Sequence, residues 1–271
     1  MRSSLTLPSG GPCAEPGFLV ELAERAEAAG WDGVFIEDYV VFHGDPNAPT
    51  TDPWVALAAI AVRTSRVIIG TRVTPLARRR PWIVARQAVA IDHLSGGRMV
   101  LGAGLGDVGD ASFTHFGEET DARRRASKLD EALELIGRLW TGEPFVYEGA
   151  HFNIGPVVFT PTPVQEPRIP IWIGGGYPRK GPRRRAARWD GSMLFRADGG
   201  DLVPDDVRAI RRAAGDRPYE ITVGVRRSQG GERERLAALA SAGATWAAEY
   251  VPASDRSTMR AAVDAGPLLI H

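Results

Sequence analysis

Eight times along this chain a short apolar run gives way to a loop and then to an amphipathic helix, and this alternation constrains the fold more than any other feature. Parallel strands need long crossovers, and a helix that packs back onto the sheet supplies each one. The strands read as residues 5–7, 33–37, 67–69, 99–101, 171–173, 191–194, 221–225 and 245–246. Val67-Ile68-Ile69 shows no polar alternation, as expected of a strand covered on both faces. The helices carry the complementary period. Leu129, Ala132, Leu133, Ile136 and Trp140 recur on one face of a helix over 125–140. Phe18, Leu22 and Ala26 do the same within 18–29, as do Val84, Ala88 and Ile91 in a helix opened by Pro81. Segments near Ala186 and over 205–214, 232–242 and 254–265 complete the set. Asp52-Pro53 is a helix start, because Asp caps free N–H groups and Pro at the first position loses no bond. Gly30 and Gly96-Gly97 are helix stops.

Eight strand–helix units in 271 residues imply an α/β protein, a compact (β/α)8 (TIM) barrel forming a single domain over 1–271. The Pro- and Gly-rich stretch between the fourth helix and the strand at 171 holds β-prone Tyr147, Phe152 and Val157-Val158-Phe159. It is expected to be a short excursion or hairpin outside the barrel.

Composition narrows the function classes. A formal net charge of zero gives no reason to expect nucleic acid or an anionic membrane surface as partner. Cys13 is the one cysteine, which excludes an internal disulfide and a Cys-rich metal site. No apolar run reaches the roughly 20 residues that span a bilayer, and residues 1–8 lack the long apolar stretch of a signal peptide, so a cytoplasmic protein is expected. His43, His93, His115, His151 and His271 show no metal-ligand spacing, and there is no H-E-x-x-H, so no metal site is expected. No G-x-S-x-G elbow of a serine hydrolase occurs. Arg78–Arg80 and Arg183–Arg185 read more readily as solvated faces than as anion sites. Trp54, Trp82 and Trp140 read as core packing.

A barrel of this kind places chemistry at the carboxyl ends of its strands. The residues there are Glu37-Asp38-Tyr39, Thr71-Arg72-Val73-Thr74, Gly102–Asp107 and Gly174-Gly175-Gly176-Tyr177. Glycine leaves backbone N–H groups unobstructed, so Gly174–Gly176 either cradles a phosphate or makes a tight turn. Gly104–Gly109 matches G-x-G-x-x-G. It runs into a polar loop rather than a βαβ unit, which argues against a dinucleotide site.

Several segments together resemble the luciferase-like monooxygenases: residues 29–38, 70–76 with Arg80-Pro81, 94–104, 170–175 and Arg188-Trp189-Asp190-Gly191, in family order. The resemblance implies a (β/α)8 barrel that binds FMN or the deazaflavin F420. It implies a bulge at Arg72-Val73, often a non-prolyl cis peptide, beneath the cofactor ring. Thr71, Thr74, Tyr39, Gly104 and Gly106 would lie near the ring, and Gly174, Gly175, Gly176 and Tyr177 near the phosphate. Asp38 and Asp107 fall where relatives place catalytic polar side chains; the alternative for each is a loop cap. Asp38-Tyr39 and Leu105 replace the histidines and the arginine of true luciferases, which argues against light emission. The chain beyond Gly200 is short for the family.

The expected function is therefore oxidation of a small organic substrate by reduced FMN and O2, with a separate flavin reductase as supplier. The alternative is hydride transfer with F420. A non-catalytic flavin-binding protein and a cofactor-free barrel lyase or hydrolase are the readings from other classes. A homodimer is expected by resemblance.

Overall fold

The computed structural model describes residues 1–43 and 45–268; His271 lies outside the described residues. Its elements run β1 (Arg2–Leu7), α1 (Pro16–Ala28), β2 (Gly33–Ile36), α2 (Pro53–Arg63), β3 (Ile68–Thr71), β4 (Thr74–Pro75), α3 (Pro81–Ser95) and β5 (Met99–Gly104). There follow α4 (Ala111–Thr114), α5 (Ala122–Leu139), β6 (Phe145–Glu148), β7 (Asn153–Val157), β8 (Ile171–Tyr177), α6 (Lys180–Ala186) and β9 (Gly191–Arg196). The last are α7 (Pro204–Ala214), β10 (Glu220–Gly224), α8 (Glu232–Ser241), β11 (Trp246–Tyr250) and α9 (Arg256–Asp264).

β1, β2, β3, β5, β8, β9, β10 and β11 pair in that order, all parallel, and β11 returns to β1, so the sheet closes into a (β/α)8 barrel. β6 and β7 form the separate antiparallel hairpin expected before β8. The expected helix signals operate as the chemistry demands. The Asp52 carboxylate accepts from the Trp54 and Val55 amides, and Gly96 ends α3 in a left-handed conformation (φ 64°, ψ 42°).

Strand alternation sorts side chains into two cores. Leu5, Leu7, Val34, Ile36, Ile69, Leu101, Ile171, Ile173 and Ile221 point outward and are fully buried against the helices, together with Trp54 and Trp140. Inside the barrel Phe35, Val100, Trp172, Met193 and Trp246 form a plug. Its rings lie 5.5 Å (Phe35–Trp172) and 5.4 Å (Trp172–Trp246) apart. The plug occupies the interior below the mouth formed by the strands' carboxyl ends.

The arginine clusters are solvated faces only in part: Arg80 and Arg184 are exposed as expected, while their neighbours turn inward. The Arg78 and Arg79 side chains are 3% and 18% exposed and converge on Asp38, and buried Arg185 pairs with Asp130 at 2.6 Å. Arg78, Arg79 and Arg185 thus each find a carboxylate that lies far away in sequence.

Candidate active site

Above the plug, Thr6 on β1, Glu37 after β2, Arg72 after β3, Gly224 and Val225 at the end of β10, and Ala248 and Tyr250 on β11 line a cavity of about 360 Å³. Asp201 and Arg226 close its rim. Glu37 reaches the cavity because it continues the inward series Gly33, Phe35, while Val34 and Ile36 face the helices.

Beside this cavity two backbone corners meet. The Arg72–Val73 peptide is cis. The Val73 side chain rests on the aromatic plug, and a Cβ on Gly104 or Gly174 would approach it to 2.5 or 2.8 Å. Glycine at both positions is thus what lets the β3 corner seat itself between β5 and β8. Gly102 is tighter still: its Cβ would fall 1.8 Å from the Thr71 carbonyl oxygen. The Thr71 hydroxyl donates to the Gly102 carbonyl at 2.8 Å and so ties β3 to β5. The buried Thr74 hydroxyl and one nitrogen of Arg72 (Nη1) have no hydrogen-bond partner among the described residues. Unmatched buried polar atoms are uncommon because each costs about 1–3 kcal/mol.

Electrostatics single out Glu37. Burial pushes its carboxyl up from 4.5 to about 7, opposed by the Tyr250 hydroxyl and the Arg72 charge. Burial likewise lowers Arg72 to about 10, with Glu37 opposing. Tyr250 donates to Glu37 Oε2 across a long 3.5 Å contact, so the carboxyl is only loosely held.

The residues singled out from sequence are spread more widely. Asp38 does not face the cavity. Its side chain is fully enclosed, accepting from Arg79 at 2.6 Å, Arg78 at 3.3 Å and the Trp54 indole at 3.2 Å. Tyr39 stacks on His43 with ring centroids 5.7 Å apart. Asp107 is exposed and accepts from the Gly109 amide at 2.9 Å, the geometry of a loop cap. Gly106 turns with φ +74° against Phe113, and buried Arg125 fixes the Leu105 and Gly106 carbonyls at 3.1 Å. Gly175 lies where a Cβ would meet Pro182 at 2.7 Å, and the Tyr177 ring is buried in the outer core. The β8 ladder with β5 ends at Ile173 while that with β9 continues to Tyr177. One edge of Gly174–Tyr177 therefore lies outside the β5 ladder. Of the residues named from sequence as cofactor contacts, Arg72 alone lines the cavity. Tyr250 was not singled out from sequence, and Glu37 was named there only as a strand-end residue without a role; strand parity was the signal for it.

The fold and its mouth define a (β/α)8 barrel with its site at the strand carboxyl ends. Residues 2–265 match the model of the luciferase-like monooxygenase family, and the chain belongs to that family. It is 36% identical over 166 residues (60% of this chain, 48% of the relative) to an F420-dependent glucose-6-phosphate dehydrogenase of Microbacterium testaceum. A protein of the same name from Kineococcus radiotolerans is 34% identical over 195 residues (70% and 56%). The chain spans about half the length of the curated relatives it matches. Among solved structures it resembles the monooxygenase RslO1 of Streptomyces bottropensis (TM-score 0.75, 23% identity, 97% and 96% covered). It also resembles the coenzyme F420-dependent tetrahydromethanopterin reductase of Methanopyrus kandleri (TM-score 0.73, 17% identity, 98% and 97% covered).

Proposed function

We propose that this protein is an F420-dependent oxidoreductase that moves a hydride to or from a small organic substrate. The likeness to F420-dependent dehydrogenases over 60–70% of the chain carries the reading. It favours F420 over the expected FMN with O2, and a hydride carrier of this kind needs no separate flavin reductase to supply an oxygen-reactive ring. Bound F420 supplies a two-electron hydride carrier that reacts poorly with dioxygen.

The residues present fit such a group. The unpartnered Arg72 nitrogen and Thr74 hydroxyl are donors at the corner where a ring with carbonyl acceptors would rest. Gly104 and Gly174, with Val73 between them, keep that corner low and flat. The edge of Gly174–Tyr177 outside the β5 ladder offers backbone amides to a phosphate. Exposed Arg179, Lys180 and Arg184 stand beside it, without ion-pair partners among the described residues. Arg72 orients the ring edge and the aromatic plug excludes water from beneath it. Asp38 holds the loop after β2 through Arg78, Arg79 and Trp54, and Asp107 caps the loop after β5. A cytoplasmic homodimer is part of the same reading.

Separate titrations of the purified protein with F420 and with FMN test the proposal. Saturable binding of F420 with weak or no binding of FMN is expected; preferential FMN binding overturns it.

A further inference from the structure

We propose that Glu37 is the proton donor and acceptor of this site, serving an uncharged carbonyl or secondary alcohol seated in the cavity it lines; this rests on the oxidoreductase reading above. Two carboxylates border the cavity, Glu37 and Asp201. Asp201 is committed to Arg226, with both carboxylate oxygens 3.0 Å from Nε. Glu37 has no such commitment: among the described residues its carboxylate accepts only the long contact from Tyr250. Strand alternation aims it inward, and burial keeps its proton available near neutrality.

The groups facing Glu37 are few. Arg72 approaches from β3 and Tyr250 from β11, Tyr39 lies on its own loop, and buried Cys13 sits in the turn after β1. Thr6, the cavity residue from β1, does not titrate. Arg72 is the one permanent charge among them, and Glu37 faces it. Glu37 and Arg72 make no ion pair, whereas the arginines of the rim do. Arg226 meets Asp201, Arg196 meets Asp198 and Asp206, and Arg227 meets Glu249. Every arginine named at this end of β9 and β10 is thus neutralised by a carboxylate of the same rim. Of the two arginines that line the cavity, Arg226 is held by Asp201 and Arg72 is turned to the cofactor ring in the reading above, so a phosphorylated sugar would find no cation left over, whereas a neutral oxygen function would find a proton.

The step balances as follows. In reduction the carbonyl carbon accepts a hydride from the reduced deazaflavin, deprotonated to solvent at its ring nitrogen, as the C=O π bond opens. The oxygen takes the Glu37 proton, leaving an alcohol, the oxidised cofactor and the Glu37 carboxylate. Alcohol oxidation runs the same transfers backwards. Solvent exchanges the proton with Glu37 past half-exposed Tyr250.

The experiment compares the wild type with Glu37→Gln and Glu37→Asp by three readouts. Carboxyl ¹³C NMR of the cofactor-free protein should show a group titrating near pH 7 that is missing from Glu37→Gln. F420 titration should give the same affinity for all three proteins. Turnover of acetone, cyclohexanone, 2-propanol and cyclohexanol, with glucose 6-phosphate as the charged comparator, should favour the neutral compounds. Its pH profile should break near 7, and Glu37→Gln should lower kcat about 100-fold and abolish the break. Glu37→Asp should retain part of the rate and the break. An unchanged rate and profile in Glu37→Gln, turnover of glucose 6-phosphate alone, or no turnover of any neutral compound overturns the proposal. Failure of the wild type to bind F420 overturns the functional reading instead, and the NMR titration separates the two.

Discussion

Replacing Asp38 by alanine should destabilise the protein severely, for reasons that can be worked from three side chains. The Asp38 carboxylate is fully enclosed, Arg78 is 3% exposed and Arg79 18% exposed. Alanine removes the negative charge and leaves two guanidinium groups largely out of water, and breaking such a buried pair costs about 3–5 kcal/mol. Arg79 retains some hydration, which favours the lower half of that range. An unfolding entropy of about 2.1 cal/mol/K per residue over 271 residues gives roughly 0.57 kcal/mol per degree, so Tm should fall by about 5–7 °C. Asp38→Asn keeps the shape and an acceptor for the Trp54 indole but loses the charge, and should fall between. Differential scanning calorimetry and guanidinium unfolding at pH 7.5 measure both variants. A Tm within about 1 °C of the wild type for Asp38→Ala refutes the buried-pair argument. Wild-type stability of Asp38→Asn with lost turnover would give this residue a chemical role.

Other perturbations read other parts of the molecule. Glu37 holds its proton up to about pH 7 in the folded state, against 4.5 ordinarily. The folded protein therefore binds the extra proton, and the stability this confers is complete below about pH 4.5 and is lost as pH rises through 7. The wild type should lose up to about 3 kcal/mol relative to Glu37→Gln between pH 4.5 and 8, measured by urea unfolding. Gly104→Ala places a Cβ 2.5 Å from Val73 and should cost about 1–3 kcal/mol and weaken F420 binding. Val73→Ala in the same chain should recover much of both, a coupling that a double-mutant cycle reads directly. Cys13 is fully buried, and burial pushes its thiol up to about 12. It should stay unreactive toward a disulfide reagent until the protein unfolds, and early labelling of the native state would refute this.

The barrel was legible because its outer core is written as apolar runs. Leu5, Leu7 and Val67–Ile69 announce strands wherever both faces lie away from water. β1 nevertheless starts earlier than those runs suggest, since Ser3, Ser4 and Thr6 are buried within it. Their polarity hides them from a reading that equates burial with hydrophobicity. The helix starts at Asp52 and Pro81 and the stop at Gly96 were readable because capping is local chemistry. The site was less so. Glu37 and Asp38 are neighbours, and which of them faces the cavity depends on strand parity. Arg78 and Arg79 look like a solvated run until Asp38, forty residues upstream, is folded beneath them. Gly104 and Gly174 stand out as positions that need space, but the occupant of that space, Val73, becomes evident only when β3, β5 and β8 are brought side by side.

The cavity straddles the join at which the barrel closes. Thr6 and Tyr250 are register partners across the β1–β11 ladder, and both line it. An open sheet, however well its helices had docked, would offer only half a wall. Occupancy therefore reports that the ring is shut, and a ligand held at 100 times its Kd would add about 2.7 kcal/mol in favour of the shut state. For this chain, loosening the seam and losing the ligand should be one event seen from two sides.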